Sequence, residues 1–430
     1  MRKFFALILC LCCHASSIAY AADSSVEAQI IELKQMVQEL KGVVQNQQKE
    51  IAQLKAIQST QLIAPASSVM PAVSPSADTY RVKPFGGMTP EIGAVADIVL
   101  ALDNPKEDEE GADRVSVREL ELVLGSAVDP YTRMDATLGI SDFEELEIEE
   151  AYVTRYGLPL DMTARIGRFL PRVGKAIPVH RDALDTVDEP LVVEKYFGHH
   201  GYSKTGADLS RSIDLPWAVS HEATLGVLEG GNGEEGALFG ETRRHPTLYG
   251  HLKNYLDIND LTGLELGASY LTGSRDDDSS FEVGVIGLDG TLIHRYGDRR
   301  HIKLQSEAFR VSRTESFYER TDADTGEIFY EDLDGAKNLW GTYVLLDWRF
   351  DPQWAAGARF DDVQLIETAD DFANELQSER GYTGYLTFYQ SEFARWRAQY
   401  THSDMTDGTE DNRVYLQGTF AIGEHKHKIQ

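Results

Sequence analysis

Residues 340–350 read Trp340-Gly341-Thr342-Tyr343-Val344-Leu345-Leu346-Asp347-Trp348-Arg349-Phe350, and Asp351-Pro352 follow. Successive side chains of a strand point to opposite faces. Trp340, Thr342, Val344, Leu346, Trp348 and Phe350 therefore share one side, while Gly341, Tyr343, Asp347 and Arg349 share the other. One face is largely apolar with aromatics at both ends; the other carries charge. Asp-Pro then starts a tight turn, because aspartate bonds back to the main chain and proline presets φ. About 9–11 residues in this pattern cross a bilayer as a tilted strand, with lipid on one side and water on the other.

The same unit repeats from Glu91 to Gly423. Strands are expected near 91–102, 114–126, 131–141, 147–157, 161–169, 203–211, 221–229, 247–257, 262–272, 281–295, 301–313, 338–350, 353–363, 380–390, 392–402 and 412–423, sixteen in all. Tight turns at Asp129-Pro130, Gly157-Leu158-Pro159, Asp214-Leu215-Pro216, Asn259-Asp260, Gly297-Asp298 and Asp351-Pro352 take turns with longer, often acidic loops. An even number of antiparallel strands with alternating short and long connections closes as an up-and-down barrel. Both termini then lie on the short-turn side, which faces the periplasm. The last strand repeats the pattern, with Val414, Leu416, Phe420 and Ile422 against Arg413, Gln417 and Thr419. Trp217, Trp348, Trp354 and Trp396 fall near turns or strand ends, where interfacial girdles sit. Soluble β-sandwiches share the alternation but not the regular switching of turn length. The expected fold class is all-β: a 16-stranded antiparallel transmembrane β-barrel preceded by an N-terminal α-helical coiled coil and a linker.

The N-terminus sets the compartment. Arg2 and Lys3 precede an apolar run from Phe4 to Cys13, and Ala19-Tyr20-Ala21 supplies small residues for cleavage, so 1–21 reads as a secretory signal peptide. Its removal takes all three cysteines, Cys10, Cys12 and Cys13, and leaves no disulfide or thiolate metal site. The net charge of −29 becomes −31 once Arg2 and Lys3 are gone, which argues against nucleic acid as a partner. Residues 22–58 carry a heptad, with Ile30, Val37, Val44 and Ile51 at one seam position and Leu33, Leu40 and Leu54 at the other. Such a pattern makes a coiled coil. β-Branched residues at a with Leu at d favour a dimer; Met36, Val43 and Ile57 widen the face and Gln47 adds a polar group, so a trimer stays open, and it is the preferred reading because barrels of this kind are commonly trimers. Residues 59–88, with Pro65, Pro71 and Pro75 among Ala and Ser, form a linker, and 89–430 form the barrel.

The third long loop, 170–202, is the longest connection, and loops of this length are usually functional or disordered. Arg165, Arg168, Arg172, Lys175 and Arg181 come first, followed by Asp182, Asp185, Asp188 and Glu189. Folded inward, these residues would constrict the lumen. Strand alternation points Arg133, Arg165, Arg395, Arg397 and Arg413 inward, and barrel closure is expected to gather them into one wall. Opposed acids and bases across a narrow pore set up a transverse field that screens solutes by polarity as well as size.

The chain resembles Gram-negative outer-membrane porins, especially the phosphate-selective-porin-like group with an N-terminal helical segment. The resemblance rests on Arg118-Glu119-Leu120-Glu121-Leu122 with Asp129-Pro130-Tyr131-Thr132-Arg133, and on Ala164-Arg165-Ile166-Gly167-Arg168-Phe169-Leu170-Pro171-Arg172-Val173-Gly174. It implies a homotrimeric diffusion channel without cofactor, constricted in each pore by the third loop. Porins of this group usually end in an aromatic, whereas here 424–430 follow Phe420 and Ile422. Phosphate selectivity needs a ladder of basic residues, against which the acidic composition counts.

His180, His199, His200, His425 and His427 lack a defined set of four ligands and read as solvated, so no metal site is expected. No Ser-His-Asp elbow, phosphate-cradling glycine loop or HExxH occurs, and the reading is non-enzymatic. The expected function is passive diffusion of small hydrophilic solutes or ions through an outer membrane, with lipid and lipopolysaccharide around the barrel and the coiled coil in the periplasm. The rival reading is a barrel-anchored tether or spacer that reaches the cell wall through the coiled coil. A secreted sandwich or adhesin is a third.

Overall fold

A computed structural model describes residues 90–423, apart from 104–113, 143–145, 199–201, 218, 232–237, 240–243, 276–281, 315–316, 322–327, 333–335 and 369–373. The expected signal peptide, coiled coil, linker and C-terminal tail, with His425 and His427, lie outside the described residues, as do His199 and His200.

The alternating segments form β1 (Glu91–Asp103), β2 (Arg114–Asp129), β3 (Thr132–Gly139), β4 (Glu147–Leu158), β5 (Met162–Phe169) and β6 (Lys204–Ile213). They continue as β7 (Ser220–Leu228), β8 (Thr247–Asn259), β9 (Thr262–Ser274), β10 (Glu282–Gly297), β11 (Arg300–Thr314), β12 (Phe317–Thr321) and β13 (Ile328–Asp332). The last are β14 (Ala336–Asp351), β15 (Trp354–Thr368), β16 (Asn374–Ser391), β17 (Ala394–Asp404) and β18 (Glu410–Gly423). Each pairs antiparallel with its neighbours, and β1 closes on β18 with Gly93 opposite Gly423 and Asp97 opposite Thr419. The result is a closed barrel of sixteen strands, while β12 and β13 form a separate hairpin in the sixth long connection. That hairpin is an addition to the expected plan. β16 also begins at Asn374 rather than 380, so the strands extend beyond their apolar segments.

Outward positions are apolar: Ile166 is 63% exposed and Leu225 is 70% exposed. Trp348, Trp354 and Trp396 lie outward near the short turns, as a girdle requires. Inward positions carry Asp97, Glu121, Asp208, Glu307, Asp347, Arg359, Arg395 and Arg397, all buried. The lumen is therefore an ion-pair lattice rather than a wall of one sign. In its long-loop half an apolar cluster packs against part of the wall. Phe169, Val192, Phe197, Leu238 and Phe239 from connecting segments and the strand end of β5 pack with Phe309, Val311 and Tyr343 of the wall.

Candidate functional site: the third loop inside the barrel

Between β5 and β6 the chain turns into the lumen and crosses it. Arg172 reaches Glu222 of β7, with Nη1 at 3.1 Å from Oε1. Gly174 adopts φ +64°, a left-handed conformation that glycine enters without steric cost. The next two N–H groups, of Lys175 and Ala176, donate to the two oxygens of Glu307 on β11 at 2.8 and 2.7 Å. The Tyr343 hydroxyl donates to the same carboxylate at 2.6 Å. Lys175 Nζ pairs with Glu265 of β9 and lies 3.4 Å from Asp289 of β10. The chain then returns across the barrel, where His180 meets Glu121 of β2 and Glu149 and Glu150 of β4.

The acidic half docks on β11, β15 and β17, with a further contact to β2. Arg395 donates to the Asp182 carbonyl, and Arg397 donates to the Leu184 carbonyl at 3.0 Å. Asp185 pairs with Lys303 of β11 at 2.5 Å. Burial pushes the Asp185 carboxyl up, but Lys303 and the more distant Arg397 and Arg395 outweigh it and hold it below the usual range. The Asp188 carboxylate pairs with Arg359 of β15 at 3.2 Å and accepts from Gln399 of β17 at 2.7 Å. The Val187 N–H donates to Gln399 at 2.7 Å, and its carbonyl accepts from Arg118 of β2. Arg181 and Glu189 line one cavity with Arg118, Glu119, Glu149 and His180. There burial, opposed by Arg181, pushes the Glu189 carboxyl up to about 7.

After Pro190 the loop forms a short helix, α1 (Leu191–Phe197), whose first N–H donates to Asp361 of β15 at 3.1 Å. Val192, Val193, Tyr196 and Phe197 are buried beneath the long-loop rim. Gly341 of β14 makes room for Val192, which a Cβ there would strike. Leu238 of the fourth connection closes over the helix by donating its N–H to the Tyr196 carbonyl at 3.1 Å.

The expected site residues separate into groups. Lys175, Asp182, Asp185 and Asp188 meet the wall together with Arg395 and Arg397, at contact distance rather than across open water. Arg165 faces inward but is held in a buried pair with Asp208 at 2.6 Å, its guanidinium 4.3 Å from the Phe169 ring centre. Arg133 lies by the short-turn mouth, paired with Glu91 and Asp135, and Arg413 lies in the long-loop half, 2.6 Å from Asp411. The arginines therefore do not form one wall. Arg168 does not join the lumen at all: it shares outward parity with exposed Ile166 and lies 3.9 Å from Glu229. Residues three apart in a strand occupy opposite faces, so Arg165 and Arg168 cannot both point inward. His180 is likewise not solvated but 6% exposed. Sequence reading missed Arg118, Lys303, Glu307, Arg359 and Gln399. Their inward parity was readable, but which of them the loop selects was not.

No known family model matches the chain. It is 25% identical over 399 residues to a protein of Aquifex aeolicus (strain VF5) described as uncharacterized, covering 80% of this chain and 81% of that one. In fold it is similar to an anion-selective porin from Comamonas acidovorans, with a TM-score of 0.51, 10% identity, and coverage of 78% of this chain and 100% of that one. It is also similar to Salmonella typhi OmpF in complex with daunomycin (TM-score 0.50, 10% identity, 78% and 98% covered). The trimer form of OmpT, an outer membrane protein of Vibrio cholerae, gives a TM-score of 0.50 at 8% identity, with 78% and 100% covered.

Proposed function

We propose that the chain is an outer-membrane porin, a water-filled channel for passive diffusion of small hydrophilic solutes or ions, with the third extracellular loop as its constriction. The observation that carries this reading is the closed sixteen-stranded barrel with apolar residues outside and charged residues inside. Lipid solvates such an exterior, whereas charges enclosed in it require water or ionic partners. Loop contacts with β2, β4, β11, β15 and β17 support the constriction. On this reading Arg395 and Arg397 hold the loop as well as line the pore, and Arg133 and Arg413 act nearer its two mouths. A homotrimer in lipid and lipopolysaccharide accords with the heptads of 22–58 and with the trimer form of the Vibrio cholerae neighbour. The phosphate-selective-like grouping is part of the same proposal.

Reconstitution of the purified protein in planar bilayers is expected to give stepwise conductance. A folded, inserted barrel that stays silent at every voltage and pH tested sinks the reading. A second reading, a tether to the cell wall, draws on the same heptads. About 35 helical residues at about 1.5 Å each would reach about 50 Å into the periplasm. Deleting 24–80 separates the two: a conducting barrel that has lost envelope attachment favours the tether, and loss of trimers favours an assembly role.

A further inference from the structure

Glu121 of β2 is 1% exposed, and neither of its carboxylate oxygens has a hydrogen bond. A buried carboxylate in that state calls for a proton or a cation. His180 faces it from the third loop: Nδ1 is 3.4 Å from Glu121 Oε1 and 3.0 Å from Glu149 Oε2. The other ring nitrogen, Nε2, lies 3.1 Å from Oε2 of Glu150. Glu150 is itself fixed, its Oε1 accepting the Leu170 N–H at 3.2 Å. With Nε2–H donated to Glu150, the Nδ1 lone pair points at two carboxylates. Tying one imidazole nitrogen to a carboxylate is how proteins present the other to a metal.

The distances fit that use. One ring nitrogen of His180 and one carboxylate oxygen from each of Glu121 and Glu149 lie within 4.8 Å of one another. A tetrahedron with bonds of about 2.0–2.1 Å has edges of about 3.3–3.4 Å, close to the two separations from Nδ1. A proton on Nδ1 is the competing occupant, but it serves Glu149 and leaves Glu121 poorly bonded. Asp182 is buried beside Glu121, and its Oδ1 likewise makes no hydrogen bond. The nearby guanidinium of Arg118 is paired with Asp97.

We propose that Glu121, Glu149 and His180 bind a divalent transition-metal cation, zinc by their ligand chemistry, with Glu150 orienting the imidazole. The ion cross-links the returning part of the third loop to β2 and β4. Binding requires only the folded barrel and is read without conductance, so it stands or falls separately from the channel.

Isothermal titration of Zn²⁺ into the chelator-stripped full chain, prepared without an affinity tag, is expected to show one saturable site per chain. Glu121→Gln and His180→Ala are expected to remove it, and Glu150→Gln to weaken it about 10–100-fold. A variant carrying His199→Ala, His200→Ala, His425→Ala and His427→Ala is expected to keep it. Heat-modifiable migration establishes that each variant has closed its barrel. Should Glu121→Gln not fold, Glu149→Gln at the better exposed ligand tests the same set. Undiminished binding in the ligand variants, loss in the four-histidine variant, or absence of a saturable zinc site overturns the proposal.

Discussion

Gly174 and Glu307 make the first hold on the third loop, and each needs the other. The glycine turns the chain at φ +64° so that two successive N–H groups point at one carboxylate. Gly174→Ala is expected to weaken loop docking by about 1–2 kcal/mol from the left-handed backbone alone, and more because a Cβ would run into Glu307. Faster proteolysis within 170–202 of an intact barrel reports it. Asp185 gives the acid dependence. Its folded pKa lies below the usual aspartate value of about 3.9. The pair with Lys303 therefore stabilises docking above that value and is lost as pH falls through the lowered folded one. Protease sensitivity of the loop is expected to rise in strong acid, and Asp185→Asn should show that sensitivity already at pH 7.

Among the elements, the strands announced themselves and the loop did not. Alternation from Trp340 to Phe350 and the Asp351-Pro352 turn need only residues next to one another, so sixteen strands and their turns were readable. The loop has no period, and its partners are far away in the chain: Asp182 and Arg395 are 213 residues apart. Its acidic and basic halves were visible, but their contacts with Lys303, Glu307 and Arg359 exist only once the barrel has closed. α1 was hidden because its apolar residues face a neighbouring wall rather than repeating along a long helix. Phe197→Ala is expected to cost about 3–5 kcal/mol of loop docking, because the ring is fully buried 5.2 Å from those of Tyr202 and Phe309. Hydrogen exchange of α1 should rise while the barrel strands stay protected.

At the scale of the whole molecule, charge alone gave a mixed answer on selectivity, since an acidic chain carries buried arginines in its lumen. The geometry sharpens the test. Neutralising Arg395, Arg397 and Arg413 together is expected to shift reversal potentials toward cations, and also to raise single-channel conductance because two of the three hold loop carbonyls. A selectivity shift at unchanged conductance would mean that the loop stays docked without them. Val187 adds a matter of timing. Its N–H is held by β17 and its carbonyl by β2, the strands that flank the seam where β1 meets β18. A single residue thus spans the first and last parts of the barrel to be joined. Contacts so distant in sequence form late, because the intervening chain must first be ordered. During biogenesis the loop is expected to complete its docking only after ring closure, and a protease-accessible third loop should then distinguish the open precursor from the finished barrel.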